Sequence, residues 1–229
     1  MDKKYTFEDL KDIVKKLRGE NGCPWDKEQT HQSIKHNIIE EGYELIEMLD
    51  SENWEKVADE SGDLLLQIVF HAQIGEENGE YGLDDVCDAV CRKLIHRHPH
   101  VFGELKLENS EQVLDEWNKI KRDDRGQKTV AQEMAGVSKA LPALMRAEKI
   151  QGKAEKGGYV FSDPITTSES VSSMMNVMVG VTEQQVAEMY VGKMLFEAVS
   201  IAKKMGVDAE TALNRRIEAF IQEYSKYEG

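Results

Sequence analysis

Glu40-Glu41-Gly42-Tyr43-Glu44 and Glu60-Ser61-Gly62-Asp63 decide how this chain is read. Each stretch lies in a segment whose apolar residues recur at helical spacing. Ile34, Ile38, Leu45 and Met48 form a stripe in the first, and Glu41 falls on the same line. Trp54, Val57, Ala58, Leu65, Ile68, Val69 and Ala72 define the expected buried face of the second, with Glu60 and Asp63 beside it. Glu41/Glu44 and Glu60/Asp63 are both i,i+3 pairs, so each projects from one side of its helix. Folding the helices back on each other across Asp50–Asn53 brings four carboxylates to the edge of an apolar core.

Carboxylates gathered in partly dry surroundings repel one another, and they take up protons or bind a cation. Oxygen ligands without nitrogen or sulfur partners suit Mg²⁺, with Mn²⁺ as a substitute. A single acidic pair reads more readily as a solvated helix face. Two pairs with matched spacing, one on an apolar stripe, point to a metal site. A di-iron carboxylate bundle would require Glu-x-x-His twice, and Glu28-x-x-His31, at a loop edge, supplies it once.

The 229 residues allow one large domain or two of about 100 each. No apolar run approaches the roughly 20 residues of a membrane span, and no apolar region follows Lys3-Lys4, so neither a membrane partner nor a signal peptide is expected and the expected address is the cytoplasm. A net charge of −14 argues against a nucleic-acid polymer as partner, while leaving room for a small anion held by a metal and local cations. Cys23, Cys87 and Cys91 lack a framework spacing and read as reduced thiols.

Thr6 is the expected N-cap of a first helix with Leu10, Ile13, Val14 and Leu17 on one face. A Gly/Pro loop, Glu20–Asp26, follows; Trp25 within it is either a lid over the core or a platform for a planar ligand. Helices are expected over 31–50 and 53–78, closed by Gly79, and then from Leu83 to His96 with Leu83, Val86, Val90 and Leu94 inward. Lys93 and Arg97, off that stripe, have the charge for a phosphate clamp, or form an ordinary solvated face. His96, His98 and His100, at a helix end broken by Pro99, do not converge and read as capping or packing residues. Further helices are expected over Glu111–Arg122, Leu141–Gln151, 183–205 and 208–226, with the polar Arg122–Lys139 stretch as a boundary and Ser162–Ser173 as a Ser/Thr-rich stretch. The expected class is all-α.

Gly62–Val69 can be laid over Gly192–Val199, with Phe161 about where Trp25 sits, which suggests a duplicated helical unit. The chemistry is not duplicated. Tyr190 and Lys193 stand at the Glu60 and Asp63 positions, Glu169 is the single acid of 165–182, and Ala219 and Glu223 fall near the Lys93 and Arg97 positions.

Asn21-Gly22-Cys23-Pro24-Trp25-Asp26, the Glu-Glu-x-x-Glu of 40–44, the Glu-x-x-Asp of 60–63 and Arg97-His98-Pro99-His100-Val101-Phe102 together resemble the MazG family of nucleoside triphosphate pyrophosphohydrolases. The resemblance spans most of 7–125 and, more weakly, 138–226. It implies two tandem all-α modules: a catalytic one over 1–125, a linker over 126–137, and a degenerate structural or dimerising copy over 138–229. It implies hydrolysis of a nucleoside triphosphate to monophosphate and pyrophosphate, as nucleotide-pool housecleaning, by a homodimer or tetramer. Glu41, Glu44, Glu60 and Asp63 would bind Mg²⁺. Lys56, Lys93 and Arg97 would hold phosphates, Trp117 and Trp25 would contact the nucleotide, and Glu40 would orient or deprotonate the attacking water. The alternatives are a hydrolase narrowly selective for dUTP or an oxidised nucleotide, and a non-catalytic nucleotide-sensing module on the same scaffold.

Overall fold

The computed structural model describes residues 3–228, and among them there are thirteen α-helices and no strand. The chain is all-α, as its periodicity predicts. It divides into two compact units, one ending at Val113 and the other beginning at Leu114. The break falls inside a helix, earlier than the expected linker, because the polar residues before Gly126 continue the helical period of Val113, Trp117 and Ile120.

In the first unit, α1 (Phe7–Arg18), α2 (Pro24–Glu28) and α3 (His31–Ile34) precede a hairpin of α4 (Asn37–Asp50) and α5 (Trp54–Asn78). The unit continues with α6 (Leu83–Arg97) and α7 (Pro99–Phe102), and α8 (Ser110–Asp124) crosses the break. α1 begins at Thr6 with a capping box shared with Asp9. The expected 31–50 helix is two helices: Lys35 and His36 form a turn, and a separate capping box at Thr30 and Ser33 starts α3. α4 packs along α5, and α5 also packs on α1, α3 and α6.

Val14, Ile34, Val69, Phe70, Ala72, Ile74 and Leu83 form the core, with Leu10 and Leu66 against it. Truncating Ile34 or Ile74 to Ala should cost about 2–5 kcal/mol. This core gathers on α1, α3, the second half of α5 and the start of α6. Several residues expected inward are therefore exposed: Ile13 and Leu17 on α1, Trp54, Ala58, Leu65 and Ile68 on α5, Val90 and Leu94 on α6. Their stripes are real but wider than one unit covers, so the half-exposed end of the α4–α5 hairpin is left for chemistry.

The Asn21–Asp26 motif folds back on the end of α1. A Cβ at Gly22 would stand 2.0 Å from the Leu17 carbonyl oxygen, so no other residue fits without moving the backbone. Arg18 fastens the loop. Its guanidinium donates to the carbonyls of Asp26 and Gln29 and to both oxygens of Glu77 on α5, and it lies over the Phe70 ring. His31 and His71 tie α3 to α5 through an Nδ1···Nδ1 hydrogen bond of 2.7 Å, their rings nearly coplanar. His31 thus pairs with His71 rather than completing a ligand motif with Glu28.

The second unit contains α9 (Val130–Ala135), α10 (Ala143–Lys156), α11 (Pro164–Met178), α12 (Gln184–Lys204) and α13 (Ala209–Glu228). α11 packs on α12, and α12 also packs on α10 and α13. α11 occupies the stretch read as Ser/Thr-rich. Asp163 caps it through the Ile165 and Thr166 amides, with Pro164 at its first turn, a start signal stronger than the intrinsic helix aversion of Ser and Thr. α9 likewise fills part of the expected linker, started by the Thr129/Gln132 box. Among the described residues no helix is long and apolar enough to cross a membrane.

Candidate functional site

Glu41 lies in the second turn of α4, and Glu60 and Asp63 lie a turn apart in the first half of α5. Antiparallel packing of the two helices brings these three together, and one oxygen from each falls within 4.8 Å of the other two. Around one Mg²⁺, with ligands at about 2.1 Å, oxygens stand about 3–4 Å apart, so the trio has the size and chemistry for a hard divalent cation. It is the one group of three or more potential ligands among the described residues.

The charges act on one another. Glu41 is pushed above the usual carboxylate range by partial burial first, then by Asp63, Glu44, Glu60 and Glu40. Glu60 is raised by desolvation, then by the charges of Glu44, Asp63 and Asp59, with a hydrogen bond to Glu44 in addition. Glu44 thus joins the cluster through Glu60, at its margin, rather than within the trio. Both shifts say that the cluster holds its negative charge at a cost that a cation would relieve.

The remaining expected residues are placed unevenly. Glu40, next to Glu41, is exposed. Lys56, one turn before Glu60, is exposed, and its backbone amide donates to the N-cap Asn53. Lys93 is exposed, whereas Arg97 is 8% exposed and interacts within the protein, so the pair does not form one solvated face. Trp25, 62% exposed on α2, does not cover the core. Trp117 lies on α8 beyond the break and is described with the second unit.

Sequence reading missed Gln67. This residue is 7% exposed on α5, one turn beyond Asp63, and its Nε2 donates to Glu41 Oε1 at 3.5 Å. Its signal was position, since 60, 63 and 67 share one helix side. The residue type, which bears no charge, hid it.

Known proteins resemble this chain over most of its length. Residues 29–102, which span α3 to α7 and include the trio, match the MazG nucleotide pyrophosphohydrolase domain. The chain is 37% identical over 222 residues to the nucleoside triphosphate pyrophosphohydrolase/pyrophosphatase MazG of Thermotoga maritima, covering 97% of this chain and 85% of that one. It is 38% identical over 222 residues to the nucleoside triphosphate pyrophosphohydrolase of Escherichia coli, covering 94% and 84%. This chain belongs to the MazG family. A namesake from Mycobacterium tuberculosis is 37% identical over 166 residues, covering 70% of this chain and 49% of its own. The MazG domain match lies wholly within the first unit, where the carboxylates are.

Proposed function

We propose that this MazG protein hydrolyses nucleoside triphosphates to the monophosphate and pyrophosphate, using Mg²⁺ (or Mn²⁺) held by Glu41, Glu60 and Asp63 with Glu44 at the margin, and that it clears unwanted nucleotides from the pool. The observation that carries the reading is the trio of carboxylate oxygens from two helices within 4.8 Å of one another. The names of the Thermotoga and Escherichia relatives, similar over most of the chain, support the reaction type.

A bound cation would supply charge neutralisation at the phosphate oxygens and a more acidic water. The chain's own residues do the rest. Glu40, exposed beside Glu41, orients the attacking water and accepts its proton. Water adds at the α-phosphorus, the α–β bridging P–O bond breaks, and pyrophosphate departs. Lys56 and Lys93, with Arg97 in the wall of α6, meet the charge on the leaving phosphates. Trp25 offers an exposed indole face to the base.

Catalysis belongs to the first unit in this reading, and the second is structural or dimerising. A homodimer or tetramer is proposed because α4 carries a further apolar set, Ile39, Tyr43, Ile46 and Leu49, that is exposed. The test is a nucleotide panel with and without Mg²⁺, resolving pyrophosphate from orthophosphate. Monophosphate plus pyrophosphate, abolished by EDTA, is the expected result. Orthophosphate as the direct product would overturn the mechanism, and a folded sample inert on every nucleotide would overturn the reaction.

A further inference from the structure

Gln67 is a buried side chain that the mechanism above does not use. It reaches from α5 to Glu41 of α4, across the hairpin, and its amide N–H is donated to Oε1 at a long 3.5 Å. Burying an amide of this size is unfavourable unless it is satisfied, so its partner is informative.

The choice of group at this place is constrained. Glu41 is surrounded by Asp63, Glu44, Glu60 and Glu40. A Lys or Arg here would neutralise the charge that attracts a cation and would compete for the same oxygens. A Ser or Thr is too short to cross between helices. An uncharged amide can hold one carboxylate oxygen while leaving the negative charge, and the other oxygen, available to a metal.

The internal repeat makes the same point independently. In the register that lays Gly62 over Gly192, Glu60, Asp63 and Gln67 correspond to Tyr190, Lys193 and Glu197. The second unit carries neither the ligands of this helix nor the amide.

We propose that Gln67 is a positioning residue for the metal centre: its amide fixes the rotamer of Glu41 so that the free oxygen meets the oxygens of Glu60 and Asp63. The inference rests on the metal reading of the preceding subsection. It requires that Gln67 act through Glu41, and it assigns Gln67 no contact with substrate.

The experiment is calorimetric titration of the full chain with Mn²⁺, without nucleotide, for wild type, Gln67→Met, Glu41→Gln and the double variant. Methionine keeps the length of the side chain and removes the donor. Gln67→Met should bind Mn²⁺ about ten- to a hundredfold more weakly. In the Glu41→Gln background the same substitution should change affinity less than about twofold, because the group it acts through is gone. In nucleotide hydrolysis the metal-activation midpoint should move by the same factor while KM for nucleotide stays put. Gln67→Asn, which keeps an amide but withdraws it by one methylene, guards against a folding defect in the Met variant and should show the same loss. Wild-type affinity in Gln67→Met or Gln67→Asn would overturn the proposal. So would an equal loss with and without Glu41, which would mark Gln67 as packing. If wild type itself binds no Mn²⁺, the metal reading fails, a result distinct from either.

Discussion

The first and second units are built on one helical plan and differ in what they place inside it. In each, a hairpin (α4–α5 or α11–α12) packs against a preceding helix (α1 or α10) and a following one (α6 or α13). The first hairpin holds three converging carboxylates. The second holds buried Met174 and Thr167, and its Thr167 hydroxyl satisfies backbone carbonyls at the start of α11. The fastening of the preceding helix is also reversed in charge: Arg18 of α1 reaches Glu77 of α5, whereas Glu155 of α10 meets Lys203 of α12. Even the loop before the hairpin is held from different sides, by Arg18 of α1 in one unit and by Lys204 of α12 in the other. The plan survives exchange of these polar contacts, so the acidic cluster is not what makes this fold stable. It is a feature the fold tolerates, at the expense of the desolvation and then the like charge that raise Glu41 and Glu60.

The largest expected asymmetry is in activity. Glu60→Gln or Glu41→Gln should lower Mg²⁺-dependent pyrophosphate release at least about a hundredfold, since each removes a charge that a cation needs. Lys193→Ala, at the matching position of the second unit, should stay within about twofold of wild type. Comparable losses from both sets, measured as kcat/KM, would end the assignment of catalysis to the first unit.

Stability should show the next largest difference. The Arg18 side chain is almost fully buried, and its guanidinium makes five hydrogen bonds, three of them to Glu77. Arg18→Ala would leave the Asp26 and Gln29 carbonyls without this donor and Glu77, partly exposed, with Gln73 as its remaining side-chain donor, at about 2 kcal/mol. Lys203 and Glu155 are only partly covered, and Lys203→Ala should cost about 1 kcal/mol. Native-state hydrogen exchange at the amides of α5 and α12 separates the two units. Equal losses would show that the inverted pairs are equivalent fasteners.

What could be read in advance divides along the same line. Glu41, Glu60 and Asp63 were legible because helical spacing and antiparallel return suffice to bring them together. The all-α class and the α4–α5 hairpin followed from the same periodicity. Arg18, Gln67 and the His31–His71 pair were not legible, because each depends on which helices meet and at what height, and no local period encodes that. Leu65, Ile68, Val90 and Leu94 were misplaced for a related reason: an apolar stripe reports that a surface is to be covered, not that its own unit covers it. α11 escaped notice because Ser and Thr disfavour helix interiors, while the Asp163-Pro164 start signal that outweighs them is two residues long.

The effect of pH on cation binding sharpens the contrast further. Glu41 and Glu60 hold protons more tightly in the folded chain than in the unfolded one, by burial and by like charge. Without metal, their contribution favours the folded form below the ordinary glutamate range, and it is lost as pH rises through the raised values. A cation must displace those protons, so the gain in Tm from saturating Mn²⁺ should grow across the same window, to about 5 °C or more at pH 8. Scanning calorimetry from pH 5 to 8 reads this directly. A gain that is independent of pH, or that survives Glu41→Gln with Glu60→Gln, would place the cation elsewhere.

The smallest expected effect concerns the tie between α3 and α5, which has no titrating counterpart in the second unit because Ile201 stands at the position of His71. In the Nδ1···Nδ1 bond one ring donates and the other accepts, so the bond cannot survive protonation of both rings. Glu80 faces His31 Nε2 at 3.4 Å and the Tyr81 ring lies beside it, whereas His71 is partly buried. Its pKa is lowered by burial and then by His31. A lowered histidine contributes stability that is present above about 6.5 and lost as pH falls through the folded value. His71→Leu should therefore cost about 1–2 kcal/mol at pH 7.5, where it leaves His31 Nδ1 without its partner, and distinctly less at a second pH below the lowered His71 value. Denaturant titrations at the two pH values decide it. A cost that does not shrink on acidification would mean that the pair merely fills space, as Ile201 does in the second unit.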